Sequence, residues 1–271
     1  LNLIALRELK FDESILGEMA KKSCPQILQI FVENKKRTDS SDQLDVNLYK
    51  AKKLFDKKFD SERELYCCSF SADTIVYKGL VMPSEFDSFY SDLSDTSHRT
   101  ASVMFHIRFS TNTSPKWHLA QPYRVIAHNG EINTISGNRN WALARMNNLS
   151  SKRFGNMRKY QPLVNQSGSD SSSLDNMIEV LKEGGVNIGR AARMLIPPSW
   201  QNTDLMDSDE KAFHEYNSMH MEAWDGPALI CFQDKNFLSC FLDRNGLRPA
   251  KIEFFNDETV CISSEFGSNN D

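Results

Sequence analysis

The sequence predicts an α+β fold in which helical and strand-rich blocks are segregated and the strands pair antiparallel. Three observations carry this. The hydrophobic period changes from helical spacing near the start of the chain to β-rich runs after Leu65. The C-terminal third holds four short β-rich runs at roughly ten-residue spacing with turn residues between them, which favours hairpins over βαβ crossovers. A length of 271 residues, 40% hydrophobic and 25% charged, is enough for a sizeable core between layers of helix and sheet.

Each element follows from its pattern. Leu16, Met19, Ala20 and Cys24 recur at helical spacing until Pro25, and Ile27, Ile30 and Phe31 extend the apolar face, so the first sixty residues read as helical. Asn34–Gln43 is a polar loop. A second amphipathic helix runs from about Leu44 to Phe55, with Leu44, Leu48, Ala51 and Phe55 on one side. Leu65–Phe70 and Thr74–Met82 read as a hairpin across Ser71-Ala72-Asp73. Thr100–Ile107 is a third strand, buried by its apolar content, and Pro122–Ala127 a fourth. Asn138–Leu149 is a helix, and the serine-rich stretch Ser150–Ser173 a long surface loop. Helices follow at Leu174–Glu183, stopped by Gly184-Gly185, at Asn187–Leu195, closed by Pro197-Pro198, and at Asp209–Met221. The last strands are Pro227–Gln233, Phe237–Leu242, Ala250–Phe255 and Thr259–Ser263.

Composition excludes several classes. Lys plus Arg is 32 and Asp plus Glu 36, a net charge of −4, so the chain is no general binder of nucleic acid. The longest charge-free apolar runs, near Met194–Trp200 and Gly226–Phe232, fall far short of the ~20 residues of a membrane span. The six cysteines, Cys24, Cys67, Cys68, Cys231, Cys240 and Cys261, include no CxxC pair, and three lie in apolar or β-branched runs; they read as reduced, buried thiols in a cytosol-like compartment. Walker A and GxGxxG loops are absent. His214 and His220 are six apart, on opposite sides of a surface helix rather than paired for a metal.

Two segments stand out. His106-Ile107-Arg108-Phe109-Ser110-Thr111-Asn112-Thr113 puts an arginine directly after an apolar strand. Its planar fork suits a bidentate carboxylate, although a structural salt bridge would look the same. His128-Asn129-Gly130-Glu131-Ile132-Asn133 also follows an apolar strand. Asn-Gly there is either a tight turn or an oxyanion hole, in which the Asn129 amide and the Gly130 N–H face one developing charge.

Taken together, the ordered motifs resemble one family. They are Tyr77-Lys78-Gly79, Arg108–Thr113, Trp117, Leu119–Pro122, Ala127–Thr134, Gly137–Trp141, Ser169-Asp170-Ser171, Pro197-Pro198, Trp224–Pro227 and Leu242–Ala250. The family is the large chain of glutamate synthase in its amino-terminal glutamine amidotransferase domain, and the resemblance covers nearly the whole chain. It implies a class II amidotransferase with the N-terminal-nucleophile hydrolase fold, a four-layer α/β/β/α sandwich of two antiparallel sheets, with residues 1–271 as a single domain. It implies that Arg108, with Thr111 beside it, clamps the α-carboxylate of L-glutamine, that Asp170 pairs with the α-ammonium, and that Asn129 and Gly130 form the oxyanion hole. Asp243–Pro249 resembles a structural loop.

The family nucleophile is a cysteine at the first position of the mature chain, whose α-amine is its base. Position 1 here is Leu1, and no internal cysteine offers that amine. The expectation is a fragment that begins inside the domain, ends at its close, and is inactive and poorly soluble alone. FMN and an iron–sulfur cluster are expected in the intact enzyme and no cofactor or metal in this chain. The expected partners are the flavin domains of the same protein, with a small reductase subunit or ferredoxin. The cytoplasm is the expected compartment, with plastid stroma as the alternative. Competing expectations are another class II amidotransferase and a catalytically dead scaffold.

Overall fold

The structure, a computed structural model, describes residues 1–36, 40–59, 65–109 and 114–265. The chain is α+β, and each of the three sheets among the described residues is antiparallel. It divides into two compact units, Leu1–Arg124 and Val125–Asp271.

In the first unit, β1 (Asn2–Glu8) pairs with β2 (Leu28–Glu33), with Leu6 opposite Ile30 and Leu3 opposite Val32. This corrects the helical expectation for the start of the chain. Gly17 and Pro25 bracket a helix, α1 (Glu18–Lys22), of only five residues. The apolar residues on either side instead find each other across it, a long-range pairing that local spacing does not register. The second helix is present as α2 (Ser41–Phe59), with Val46, Leu48 and Tyr49 on its buried face.

Two further corrections fall here. Leu65–Phe70 and Thr74–Met82 are irregular rather than a hairpin, and Thr100–Ile107 is not a strand. Exposure in the latter alternates as in an extended chain, but Val103 (64%), Phe105 and Ile107 (61%) face outward, so it is not buried either. A period of two describes an extended backbone; only a neighbour's hydrogen bonds make it a strand. The unit's core gathers Leu9, Leu16, Phe89, Tyr90 and Trp117, with α3 (Phe86–Phe89) supplying the Phe89 ring. The Tyr77-Lys78-Gly79 motif packs into it. Tyr90 Oη donates to Lys78 O (2.7 Å), and the buried Lys78 ammonium donates to Ala120 O (3.0 Å). A Cβ on Gly79 would sit 2.6 Å from the Trp117 ring, so only glycine fits there.

In the second unit the central sheet has the order β3-β4-β5, formed by Ile126–Gly130, Ala228–Gln233 and Leu238–Leu242, so among the described residues β3 is an edge strand of that sheet. Ile126, Ile230 and Phe232 share its core with Leu174, Met177 and Ile178 of α5 (Asp170–Glu183). The helices α4 (Ile135–Arg145), α6 (Ile188–Leu195) and α7 (Ser208–Ser218) and the hairpin β6 (Lys251–Phe254) and β7 (Val260–Ser263) complete it. The four C-terminal strands lie where the sequence places them. α7 is a surface helix, with His214 on its one buried stripe.

The helix predicted from Leu174 starts four residues earlier. Ser169 is its N-cap, its hydroxyl accepting from Ser172 N–H, and Asp170 occupies the first turn, where a carboxylate is favoured by the helix dipole. Asp170 therefore stands on a helix and not in the loop predicted for Ser150–Ser173.

Candidate active site

The site is built around the end of β3. The register excludes the tight turn at Asn129-Gly130: both residues belong to the strand, opposite Leu229 and Ala228. Two further bonds fix which backbone groups the ladder uses. Gln233 N–H donates to Val125 O (2.9 Å) and Glu131 N–H to Pro227 O (3.1 Å). Hydrogen-bonded positions alternate along an antiparallel pair, so Ala127 and Asn129 spend their backbone groups on β4, whereas the N–H groups of His128 and Gly130 point away from it. Gly130 thus turns its backbone N–H to the side of β3 away from β4, adjacent in the chain to Asn129.

Gly130 has a φ of +142°, and a Cβ there would lie 2.0 Å from Pro227 O and 2.7 Å from Ala228 Cα. The close approach of β4 and the backbone conformation both require glycine. The Asn129 amide nitrogen donates to the hydroxyl of Ser264, just past β7, at 2.7 Å. Sequence reasoning missed Ser264. Its only signal is a hydroxyl following a strand, which is too common to single out.

Helix α5 holds β3 at both ends. Asp175 Oδ1 accepts from the N–H groups of Val125 (2.9 Å) and Ile126 (3.2 Å) at the start. Past the end, Asp170 Oδ2 accepts from Ile132 N–H (2.8 Å) and lies 3.3 Å from Nε2 of the buried His128, while Oδ1 accepts from Ser171 N–H (2.7 Å). Burial alone would raise the Asp170 pKa. The contact with His128 and its charge, with the N–H groups of Ile132 and Ser171, outweigh it and hold the carboxyl at about 2. Ser171 Oγ also reaches Oδ1 (3.4 Å), so each carboxylate oxygen has two donors, and the side chain is 24% exposed.

The sign of the pH effect follows. The folded pKa lies below the ordinary 3.8, so the stabilisation is complete above about pH 4 and is lost as pH falls through 2. We predict that Asp170→Asn lowers the unfolding free energy by about 2 kcal/mol at neutral pH, a difference that vanishes on acidification. Denaturant unfolding across that range checks it, and a pH-independent difference would exclude the ionised carboxylate as its source.

The other motifs brace this segment. Arg139 of α4 donates from Nε to Ser173 Oγ (3.0 Å) and from Nη2 to the carbonyls of Gly168 (3.1 Å) and Ser169 (3.2 Å), clasping the turn that leads into Asp170. Asp225 N–H donates to Thr134 Oγ1 (2.9 Å), and Arg244 Nε donates to Asp225 Oδ2 (2.8 Å), so the Trp224–Pro227 and Leu242–Ala250 motifs meet. Asp243 accepts from the N–H groups of Ala228, Asn245, Leu247 and Arg248, which makes its loop a structural element.

Asn129, Gly130 and Asp170 are thus gathered in the second unit. Arg108 belongs to the first, where its backbone N–H donates to His106 Nδ1 (3.3 Å). Thr111 lies outside the described residues. Burial, with Glu13 adding to it, pushes the Cys24 thiol up to about 11, and burial raises Cys68 as well, so neither is poised as a nucleophile. No group of three or more His, Cys, Asp or Glu among the described residues is arranged to hold a metal, and no helix among them is long and apolar enough to cross a membrane.

The family described as class II glutamine amidotransferases matches residues 1–270. The chain is 42% identical over 260 residues to the glutamate synthase [NADPH] large chain of Bacillus subtilis, covering 93% of this chain and 17% of that one. It is 39% identical over 275 residues to glutamate synthase [NADH] of Schizosaccharomyces pombe, covering 99% and 13%. It is 41% identical over 271 residues to ferredoxin-dependent glutamate synthase 2 of Synechocystis, covering 98% and 17%. The chain therefore spans less than a fifth of the length of these relatives.

Proposed function

Because the chain belongs to the class II glutamine amidotransferase family, we propose that it forms the glutamine-hydrolysing part of a glutamate synthase. In this reading the intact protein releases ammonia from the side-chain amide of L-glutamine and passes it to 2-oxoglutarate, which yields a second glutamate. The observation that carries it is the donor pair at the end of β3, the Gly130 N–H turned off the ladder beside the Asn129 amide. A thiolate attacking the amide carbon pushes negative charge onto the carbonyl oxygen. Two fixed N–H donors stabilise that charge without reorganising. Collapse to a thioester expels ammonia, and water then frees glutamate.

We assign Asp170 to the α-ammonium by its motif, and its being held ionised at a partly exposed position supports this. Arg108 is assigned to the α-carboxylate by its motif, with Thr111 beside it. None of the six cysteines is the nucleophile in this reading. Each has its nitrogen in a peptide bond and cannot offer the α-amine that serves as base. The resemblance assigns an iron–sulfur cluster and a flavin to other parts of the intact protein, and no step here runs through them. The names of the relatives supply the classes of electron donor, a nicotinamide nucleotide or ferredoxin. The compartment proposed is the cytoplasm, with plastid stroma as the alternative.

Ammonia release from glutamine by the intact, folded protein tests the reading, and its absence would favour a scaffold. Arg108→Lys keeps the charge but loses the fork, and should weaken glutamine binding by about 1–3 kcal/mol, seen as a raised KM. Single Cys→Ser changes at all six positions should leave the rate at the wild-type value. Loss of activity at any one of them would place the nucleophile inside this chain.

A further inference from the structure

Cys231 of β4 and Cys240 of β5 lie directly opposite one another in the sheet, and their sulfurs are 2.8 Å apart. The ladder bonds at the two ends of this pair of strands define the position they occupy. Asp243 N–H donates to Ala228 O (2.9 Å) and Asp234 N–H to Phe237 O (2.9 Å). Ala228/Asp243 and Asp234/Phe237 are therefore hydrogen-bonded positions, and the alternation of the ladder adds Ile230/Phe241 and Phe232/Ser239 to them. Cys231/Cys240 falls at a non-hydrogen-bonded position, where the strands bring the Cα atoms to about 4.5 Å. That separation is within the range of about 4.4–6.8 Å that a disulfide spans without backbone movement. The two side chains share one face of the sheet, both half-buried, whereas the neighbouring residues Ile230 and Phe232 point into the core.

We propose that Cys231 and Cys240 are an oxidation site at which a low-molecular-weight disulfide converts two facing thiols into a cross-strand disulfide. The Cys231 thiolate attacks one sulfur of the small disulfide, RSSR, and one RS⁻ leaves with the electron pair of the broken S–S bond. Cys240 then gives up its proton and attacks the Cys231 sulfur of the mixed disulfide, and the second RS⁻ leaves. The two cysteines together lose two electrons and two protons, and RSSR is reduced to two RSH. The order of events has a physical cause. The hydrogen bond from Cys240 lowers the pKa of Cys231, and the same hydrogen bond, burial and the negative charge on Cys231 hold Cys240 in the thiol form until the first exchange is complete. No backbone rearrangement is needed, so the second step outruns release of the mixed disulfide.

The test uses the intact polypeptide carrying this chain, reduced, freed of reductant and exposed to oxidised glutathione under native conditions. Samples are quenched with N-ethylmaleimide, digested and mapped by mass spectrometry. The expected product is a Cys231–Cys240 linkage lighter by two hydrogens, with no glutathione retained on either residue, reversed by dithiothreitol. Cys231→Ala and Cys240→Ala should each leave the remaining cysteine carrying one glutathione, which shows that the partner normally resolves it. In urea the pairing should slow and mix with linkages to other cysteines of the polypeptide. Stable glutathionylation of Cys231 or Cys240 in the native protein would overturn the proposal. So would full alkylation of both after exposure, or a linkage that forms equally fast in urea.

Discussion

Asn129→Ala in the intact protein should lower kcat for glutamine hydrolysis by about 10²–10³-fold with little change in glutamine binding. The reason is that, in the role proposed for it, the amide of Asn129 meets charge that exists only in the transition state. In the structure that amide donates to Ser264 Oγ, on the segment just past β7. The same bond offers a purely structural role, tying the β7 end to the edge of the central sheet, and the two roles separate cleanly. A tie would be cut equally by Ser264→Ala, so both variants would lose similar stability and keep wild-type kinetics per folded molecule. An oxyanion donor makes them diverge: Ser264→Ala leaves the second amide N–H and the backbone of Gly130 in place and should retain most of the rate, whereas Asn129→Ala should not. Steady-state kinetics combined with thermal melts of both variants distinguish these outcomes, and equal rates for the two would remove Asn129 from the chemistry.

Gly130→Ala is expected to be more damaging still, because it acts on the fold before the chemistry. The added methyl would meet Pro227 O at 2.0 Å, and the φ of +142° is one that side-chain-bearing residues rarely adopt. Strain of this kind costs on the order of 1–3 kcal/mol by itself. Here β4 must also move away, which disturbs the ladder bond between Glu131 and Pro227 and the segment anchored by Asp170. We expect a destabilisation of roughly 3 kcal/mol or more, measured by denaturant unfolding, together with loss of glutaminase activity in whatever remains folded. A variant with wild-type stability would show that β4 can yield at this point. Gly137→Ala, where a Cβ meets nothing within 4 Å, is the matched control and should be nearly neutral.

Much of the second unit was legible in the sequence because its determinants are local. The four C-terminal strands are short apolar runs between turn residues, and they pair with near neighbours in sequence. The Ser169-Asp170 start of α5 was also written locally, as a capping hydroxyl followed by an acid, but the serine-rich composition around it reads as a loop. The oxyanion segment was legible only as an ambiguity. Asn-Gly suits a tight turn as well as a strand end, and no property of those two residues chooses between them.

The sequence by itself determined the α+β class, the C-terminal strands, the family, and the residue types that could bind an amino acid and stabilise an oxyanion. These rest on period, turn chemistry and ordered motifs, which the chain carries position by position. Tertiary structure alone decided which extended segments became strands. Residues 2–8 found a partner at 28–33, whereas 100–107, equally apolar, did not pair, because a strand is a relation between two segments and not a property of one. It also decided the direction of the Gly130 N–H, the placing of Ser264 beside Asn129, and the anchoring of both ends of β3 by Asp170 and Asp175. Each of these depends on the register between β3 and β4 or on packing across many residues of chain, and a one-residue shift of β3 against β4 would have turned the Gly130 N–H toward the partner strand.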